Sequence, residues 1–202
     1  MRWSHPIVWP VVALAWVAAA LPAPGSDWSR FRGPNGDGIA AAAELPVRFD
    51  LPDDLRWKTP LPPGHSSPVL GTRRIYLTGD AGGSLVTIAL DPDTGAELWR
   101  REAPRPREEP FHRVNGPATP TPVTDGEKVF VCFGDFGLVS YDSGGEDRWR
   151  RPLGPFSVPN GHGSSPILAG GRLVLQVDQD RESFLLSVDP DTGETLWRTA
   201  RP

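Results

Sequence analysis

The chain has 202 residues, of which 21 are basic and 25 acidic, for a formal net charge of −4. That balance excludes a surface that recruits polyanions by net charge, and no nucleic-acid partner is expected. A single cysteine excludes an intrachain disulfide, and 22 glycines with 24 prolines exclude a mainly helical protein in favour of short strands and turns.

Residues 1–25 read as a signal peptide: "MRWSHP" carries one arginine, and the 15-residue apolar run "IVWPVVALAWVAAAL" ends in small residues. Interrupted by Pro10, that run is short for a membrane span. Cleavage after Ala20 or Gly25 leaves no nearby cysteine to accept a lipid. An exported chain, periplasmic or extracellular, with no stable membrane span after processing, is the expectation. Residues 26–54 form an N-terminal segment in which Asn35 and "GDG" are turn chemistry, and Arg30 and Arg32 flank Phe31 as a clip across the strands that follow.

From residue 55 the chain repeats. No window sustains a helical apolar period; the apolar runs are short and rich in Val, Ile, Leu and Phe, which predicts an all-β fold. "LRWKTP" (Leu55 to Pro60) reads as a lone strand. Three units follow, at residues 61–104, 105–152 and 153–202. Each opens on Ser/Thr-Pro in "HSSPVL", "TPTPVT" and "GSSPIL", passes through two apolar strands, and closes on a turn and a tryptophan strand. The tryptophans Trp57, Trp99, Trp149 and Trp197 stand 42, 50 and 48 residues apart. Four short strands per unit of that length is the period of a β-propeller blade, so about three blades of an incomplete propeller plus an N-terminal closing strand are expected.

The decamer "DPDTGAELWR" (Asp91 to Arg100) returns as "DPDTGETLWR" (Asp189 to Arg198). Pro92 presets φ, Asp91 accepts backbone N–H bonds two and three residues on, and Gly95 supplies a positive φ. Trp99 then covers the seam to a neighbouring blade, and Trp197 is expected to be buried in the same way. A calcium loop would need further oxygen ligands that Thr94, Gly95 and Ala96 do not supply, so no metal site is expected. The middle copy, "SYDSGGEDRW", loses the second aspartate yet keeps Gly and Trp149, which suits a joint and not a ligand set. The arginine-rich "RREAPRPREEP" is self-neutralised by its glutamates and reads as a solvated linker; "DQDRES" reads as a hairpin loop.

These units resemble the PQQ-type propeller repeat, named for quinoprotein dehydrogenases. Its tryptophan-docking motif is matched by Ala89, Asp91, Thr94, Gly95 and Trp99, and again, with Ser187 in place of alanine, by Asp189, Thr192, Gly193 and Trp197. "DWSRFRGPNGDG" and "NGHGSSPIL" add a likeness to exported members of that group. The resemblance implies seven or eight blades, about 300 to 400 residues, and hence an N-terminal portion of a longer propeller. It also implies that Leu55 to Pro60 supplies the outer strand of the final blade.

In the dehydrogenases of this family the quinone is covered by a disulfide of adjacent cysteines, beside a calcium held by acidic ligands and an Asp base. Cys132 alone supplies no such cover, so no cofactor, PQQ included, is expected within this chain, and no catalytic residue is assigned. A non-catalytic scaffold that binds other envelope or secreted proteins, a ligand or further blades is favoured. The alternative is part of a PQQ-dependent dehydrogenase whose catalytic residues lie outside the chain. Candidate binding residues are the polar sets entering each inner strand, expected to converge at one mouth of the channel: His65, Ser66, Ser67; His112, Asn115; Asn160, His162, Ser164.

Overall fold

The computed structural model describes residues 28–40 and 48–202. The signal peptide expected at residues 1–25 lies outside the described residues. Among the described residues, twelve strands form three four-stranded antiparallel meanders. The first blade holds β1 (Val69–Leu70), β2 (Ile75–Ala81), β3 (Ser84–Leu90) and β4 (Glu97–Ala103). The second holds β5 (Val123–Thr124), β6 (Lys128–Phe133), β7 (Gly137–Asp142) and β8 (Asp147–Pro152), and the third β9 (Ile167–Ala169), β10 (Arg172–Val177), β11 (Phe184–Val188) and β12 (Thr195–Ala200). No helix among the described residues is long and apolar enough to cross a membrane.

Blades are held face to face by residues that alternate along their strands. Val69, Tyr76, Leu85, Ala89 and Trp99 of the first blade interlock with Val129, Val131, Val139 and Tyr141 of the second. The other face of the second blade, with Phe130, Cys132 and Leu138, meets Leu173, Leu175, Leu186 and Val188 of the third. Cys132 is therefore core packing, and burial pushes its thiol up to about 12, so it supplies no nucleophile at neutral pH.

The repeated decamer is a blade-to-blade joint. Asp91 Oδ1 accepts from the N–H groups of Asp93 (3.0 Å) and Thr94 (2.8 Å) and from the Thr94 hydroxyl, and Asp189 Oδ1 accepts from Asp191 and Thr192. These bonds, the Thr94 hydroxyl first, hold the Asp91 carboxyl below its ordinary range. A carboxylate so occupied closes a turn. Gly145 and Gly193 sit at φ of +87° and +74°, and a β-carbon there would stand 2.8 Å from Trp99 and 2.7 Å from Trp149 respectively. Glycine is required twice over, for the left-handed backbone and for the indole lying against it.

Each indole N–H then finds a carbonyl in the next turn. Trp99 donates to Ser143 O (3.0 Å) and Trp149 to Pro190 O (2.9 Å). Trp57 donates in the same way to Pro92 O of the first blade, at 3.0 Å. One expectation needs correction. Trp197, expected at a buried seam, is 36% exposed because no turn among the described residues lies over it, whereas Trp99 is 7% exposed. Residues 55–60 run unpaired among the described residues, with Trp57 in a docking position on the first blade; the final blade whose outer strand they were expected to supply is not among the described residues.

The N-terminal segment clips two blades: Leu70 N–H donates to Trp28 O and Thr124 N–H to Ser29 O, both at 2.9 Å. It binds the C-terminal ends of β1 and β5. The segments that enter β1, β5 and β9 lie at the other end, and they carry the candidate site.

Candidate functional site

Ser/Thr-Pro opens every blade because its hydroxyl links neighbouring inner strands. Ser67 N–H donates to Thr121 Oγ1 (3.0 Å) and Thr121 N–H to Ser165 Oγ (2.9 Å), so each blade's amide is satisfied by the next blade's hydroxyl. Ser66 Oγ accepts from Thr78 N–H at 2.9 Å. Ser66 and Ser67 thus belong to the scaffold of the channel entry.

The 19 residues joining β4 to β5, 104–122, are the longest connection between blades and are held at their base by charge. Arg105 Nε donates to Asp135 (2.8 Å), and Arg105 NH1 donates to Asp80 (3.3 Å) and to Gly83 O (3.1 Å). Arg107 donates to Glu109 (2.6 Å), Gly134 O (2.9 Å) and Leu153 O (2.5 Å). Asp135, buried, also accepts Glu109 N–H at 3.0 Å, and Glu109 Oε1 accepts Phe156 N–H at 2.8 Å. The run expected to be a solvated linker is instead tied to the first blade through Asp80, to the second through Asp135, and to the chain entering the third through Leu153 and Phe156. Its neutrality in sequence comes from pairs that close in space, some with residues far along the chain.

Beyond the clamp the segment turns outward. Phe111 is 46% and Val114 66% exposed, with His112 and Arg113 between them also exposed. The tip is pinned on its far side: Asn115 Nδ2 donates to Asn160 O at 2.6 Å, and His112 N–H to the same oxygen at 3.3 Å. Gly161, at φ +87°, permits this approach, since a β-carbon there would stand 2.8 Å from Phe111 Cβ.

The candidate residues divide into three groups. His112, Asn115 and Asn160 line one open hollow of about 490 Å³ together with Val114. His65 and Asn115 line a smaller one of about 180 Å³ with Asp80 and Phe111. His162 lies beneath, buried and stacked on Phe156 with ring centroids 4.5 Å apart, and Ser164 serves it through a backbone hydrogen bond. Four of the eight candidates, His65, His112, Asn115 and Asn160, therefore border one surface, while Ser66, Ser67, His162 and Ser164 lie beneath or beside it. Missing from the expected set were Phe111, Asp80, Arg105, Arg107, Glu109 and Asp135. A phenylalanine between Pro110 and the polar pair His112 and Arg113, in a proline-rich connection, was the available signal for Phe111. Among the described residues, no group of three His, Cys, Asp or Glu side chains is placed to hold a metal ion.

Burial holds the His162 imidazole down to about 4 from its ordinary 6.5. The unfolded chain thus binds a proton that the folded chain refuses between those two values, and stability falls as pH drops through that interval. Melting temperatures measured from pH 7 to pH 4 should fall more steeply for the native chain than for His162→Phe, which keeps the stack on Phe156 without the titration. Parallel curves would contradict this placement of His162.

The sequence pattern of the family described as outer membrane protein assembly factor BamB matches residues 52–155 and 82–202. No curated protein matches the chain. Among solved structures, a europium-containing methanol dehydrogenase superposes with a TM-score of 0.53 at 14% identity, over 68% of this chain and 25% of that one. A quinohemoprotein alcohol dehydrogenase from Pseudomonas putida gives 0.54 at 18% identity, over 69% and 21%. BamB from Moraxella catarrhalis gives 0.48 at 18% identity, over 71% and 38%. The chain spans well under half the length of these structures, and at such identities the likeness to the two dehydrogenases shows the fold alone, a β-propeller arrangement of blades.

Proposed function

Because the chain belongs to the propeller family described by the outer membrane assembly factor BamB, we propose that it is an exported, non-catalytic scaffold whose 104–122 segment docks a protein partner. The observation that carries this is the contrast within that one segment. Its base is fixed by Arg105, Arg107, Glu109 and Asp135, and its tip offers Phe111 and Val114 to solvent. An aromatic anchor already held in place loses little conformational entropy on binding, and the imidazole and amide groups of His65, His112, Asn115 and Asn160 around it supply a polar rim. The partner class is an envelope or secreted protein that offers an apolar pocket, and the expected leader at residues 1–25 supports export.

No quinone cofactor is proposed here, since the two arginines of the clamp are not free to hold one. PQQ is a planar tricarboxylate and calls for cationic donors free to face it. Arg105 and Arg107, the arginines of the clamp beside these hollows, are engaged by Asp80, Asp135, Glu109 and backbone carbonyls, and Asp80 itself lines the smaller hollow. Likeness to dehydrogenase structures shows the arrangement of blades and no chemistry. Titrating the purified chain with PQQ and calcium should change neither the quinone absorbance nor the melting temperature. A saturable change in either would replace the scaffold with an enzyme or an enzyme fragment.

A further inference from the structure

The smaller hollow, of about 180 Å³, lies between the first blade and the 104–122 segment. Drug-sized ligands occupy pockets of roughly 300 Å³ and more, so this one has room for a single long side chain. Its walls are Pro63 and Gly64 before β1, Pro117 and Ala118 before β5, and the ring of Phe111. Into this mainly apolar lining Asp80, near the end of β2, brings a carboxylate. The charges of the clamp beside it do not cancel, because two guanidiniums serve three carboxylates. Arg107 is taken by Glu109 at 2.6 Å, and Arg105 is shared by Asp135 at 2.8 Å and Asp80 at 3.3 Å. The surplus negative charge falls to Asp80: Asp135 holds the shorter bond and its side chain is 2% exposed, whereas that of Asp80 is 26% exposed. Asp80 Oδ1 accepts Gly83 N–H at 2.8 Å, and among the described residues Oδ2 has only the longer contact with Arg105.

Taking the 104–122 segment as a docking surface, we propose that this hollow receives an arginine side chain of the partner, its guanidinium bonded to Asp80 and its flat face on the Phe111 ring. A guanidinium suits the lining better than an ammonium. It is planar, more weakly hydrated and stacks on aromatic faces, whereas an ammonium is a point charge that gives up more hydration on entering an apolar wall. Proline walls and a segment already clamped at its base add contact at little cost in ordering. An acidic side chain in the same place would be repelled by Asp80, and a neutral one would leave its surplus charge unanswered.

Titrating the full chain with N-acetyl-arginine amide, followed by NMR at the amides of Gly64, Asp80 and Gly116, tests this. The lysine and citrulline analogues serve as comparisons, the second keeping the shape of arginine without its charge. Arginine should bind saturably and each analogue about fivefold more weakly or less tightly still. Asp80→Asn, which keeps an acceptor for Gly83 N–H, should weaken arginine binding about tenfold, and Phe111→Ala, at an exposed position, about threefold. Circular dichroism checks the fold of both variants. No saturable shift with arginine, equal binding of the three compounds, or arginine binding unchanged in both variants would overturn the assignment. The docking role fails separately. A discrete crosslink from position 111 to an envelope protein that Asp80→Asn leaves at full strength would keep the docking surface and remove the arginine. Arginine binding without any such crosslink would keep the pocket and remove the docked protein.

Discussion

Replacing Trp99 by alanine should cost about 4 kcal/mol and lower the melting temperature by roughly 10 °C, the largest effect expected of any single change in the molecule. The indole lies between Tyr76 and Tyr141, each with ring centroids 5.8 Å away, and its N–H is held by Ser143 O. Its loss opens a cavity in the seam between the first and second blades and strands a carbonyl on the Gly145 turn. Trp197→Ala, in a closely similar local sequence, should cost less than about 1 kcal/mol, since the ring is partly in solvent and covers no turn among the described residues. Thermal denaturation of the two variants side by side checks the pair. Equal losses would mean that the two tryptophans share a role, and the account of the seams would fail.

Asp135→Ala should cost about 3 kcal/mol and release the 104–122 segment. The carboxylate is buried, and its removal leaves the Arg105 guanidinium with only the weaker Asp80 and Gly83 contacts and the Glu109 N–H without its acceptor. Asp135→Asn keeps an acceptor for Glu109 N–H but not the charge for Arg105, so a smaller loss, about half, is expected. Amide hydrogen exchange across residues 104–116 should accelerate in the alanine variant while β6 and β7 stay protected. Unchanged exchange in the segment would show that the clamp does not hold it.

What was legible in the sequence follows from how local each interaction is. The turn from Asp91 to Gly95 closes on itself within five residues, so its type, its glycine and its non-metal use of aspartate could be argued from the decamer alone. Blade number and the Ser/Thr-Pro openings were legible because the units repeat. That the Ser67 amide is satisfied by the hydroxyl of Thr121 was not, because the partner lies 54 residues on. The clamp was hidden for the same reason. Arg105 and Arg107 stand beside glutamates in sequence, and only the fold brings Asp135 and Leu153, 30 and 46 residues away, against them. Trp197 shows the converse limit: its decamer matches that of Trp99, and the difference in burial comes from what lies over the blade.

The scaffold account rests on a fixed segment with an exposed aromatic tip, and site-specific photocrosslinking tests it most directly. A photoreactive phenylalanine analogue at position 111, introduced into the full chain and irradiated in an envelope extract of the source cell, should give one discrete adduct. The same adduct should weaken severalfold in the Asp135→Ala background, where the tip is no longer held, and should be absent with the probe at Leu98 on β4, remote from the segment. No discrete adduct at position 111, or one equally strong from Leu98 or unaffected by Asp135→Ala, would contradict the account.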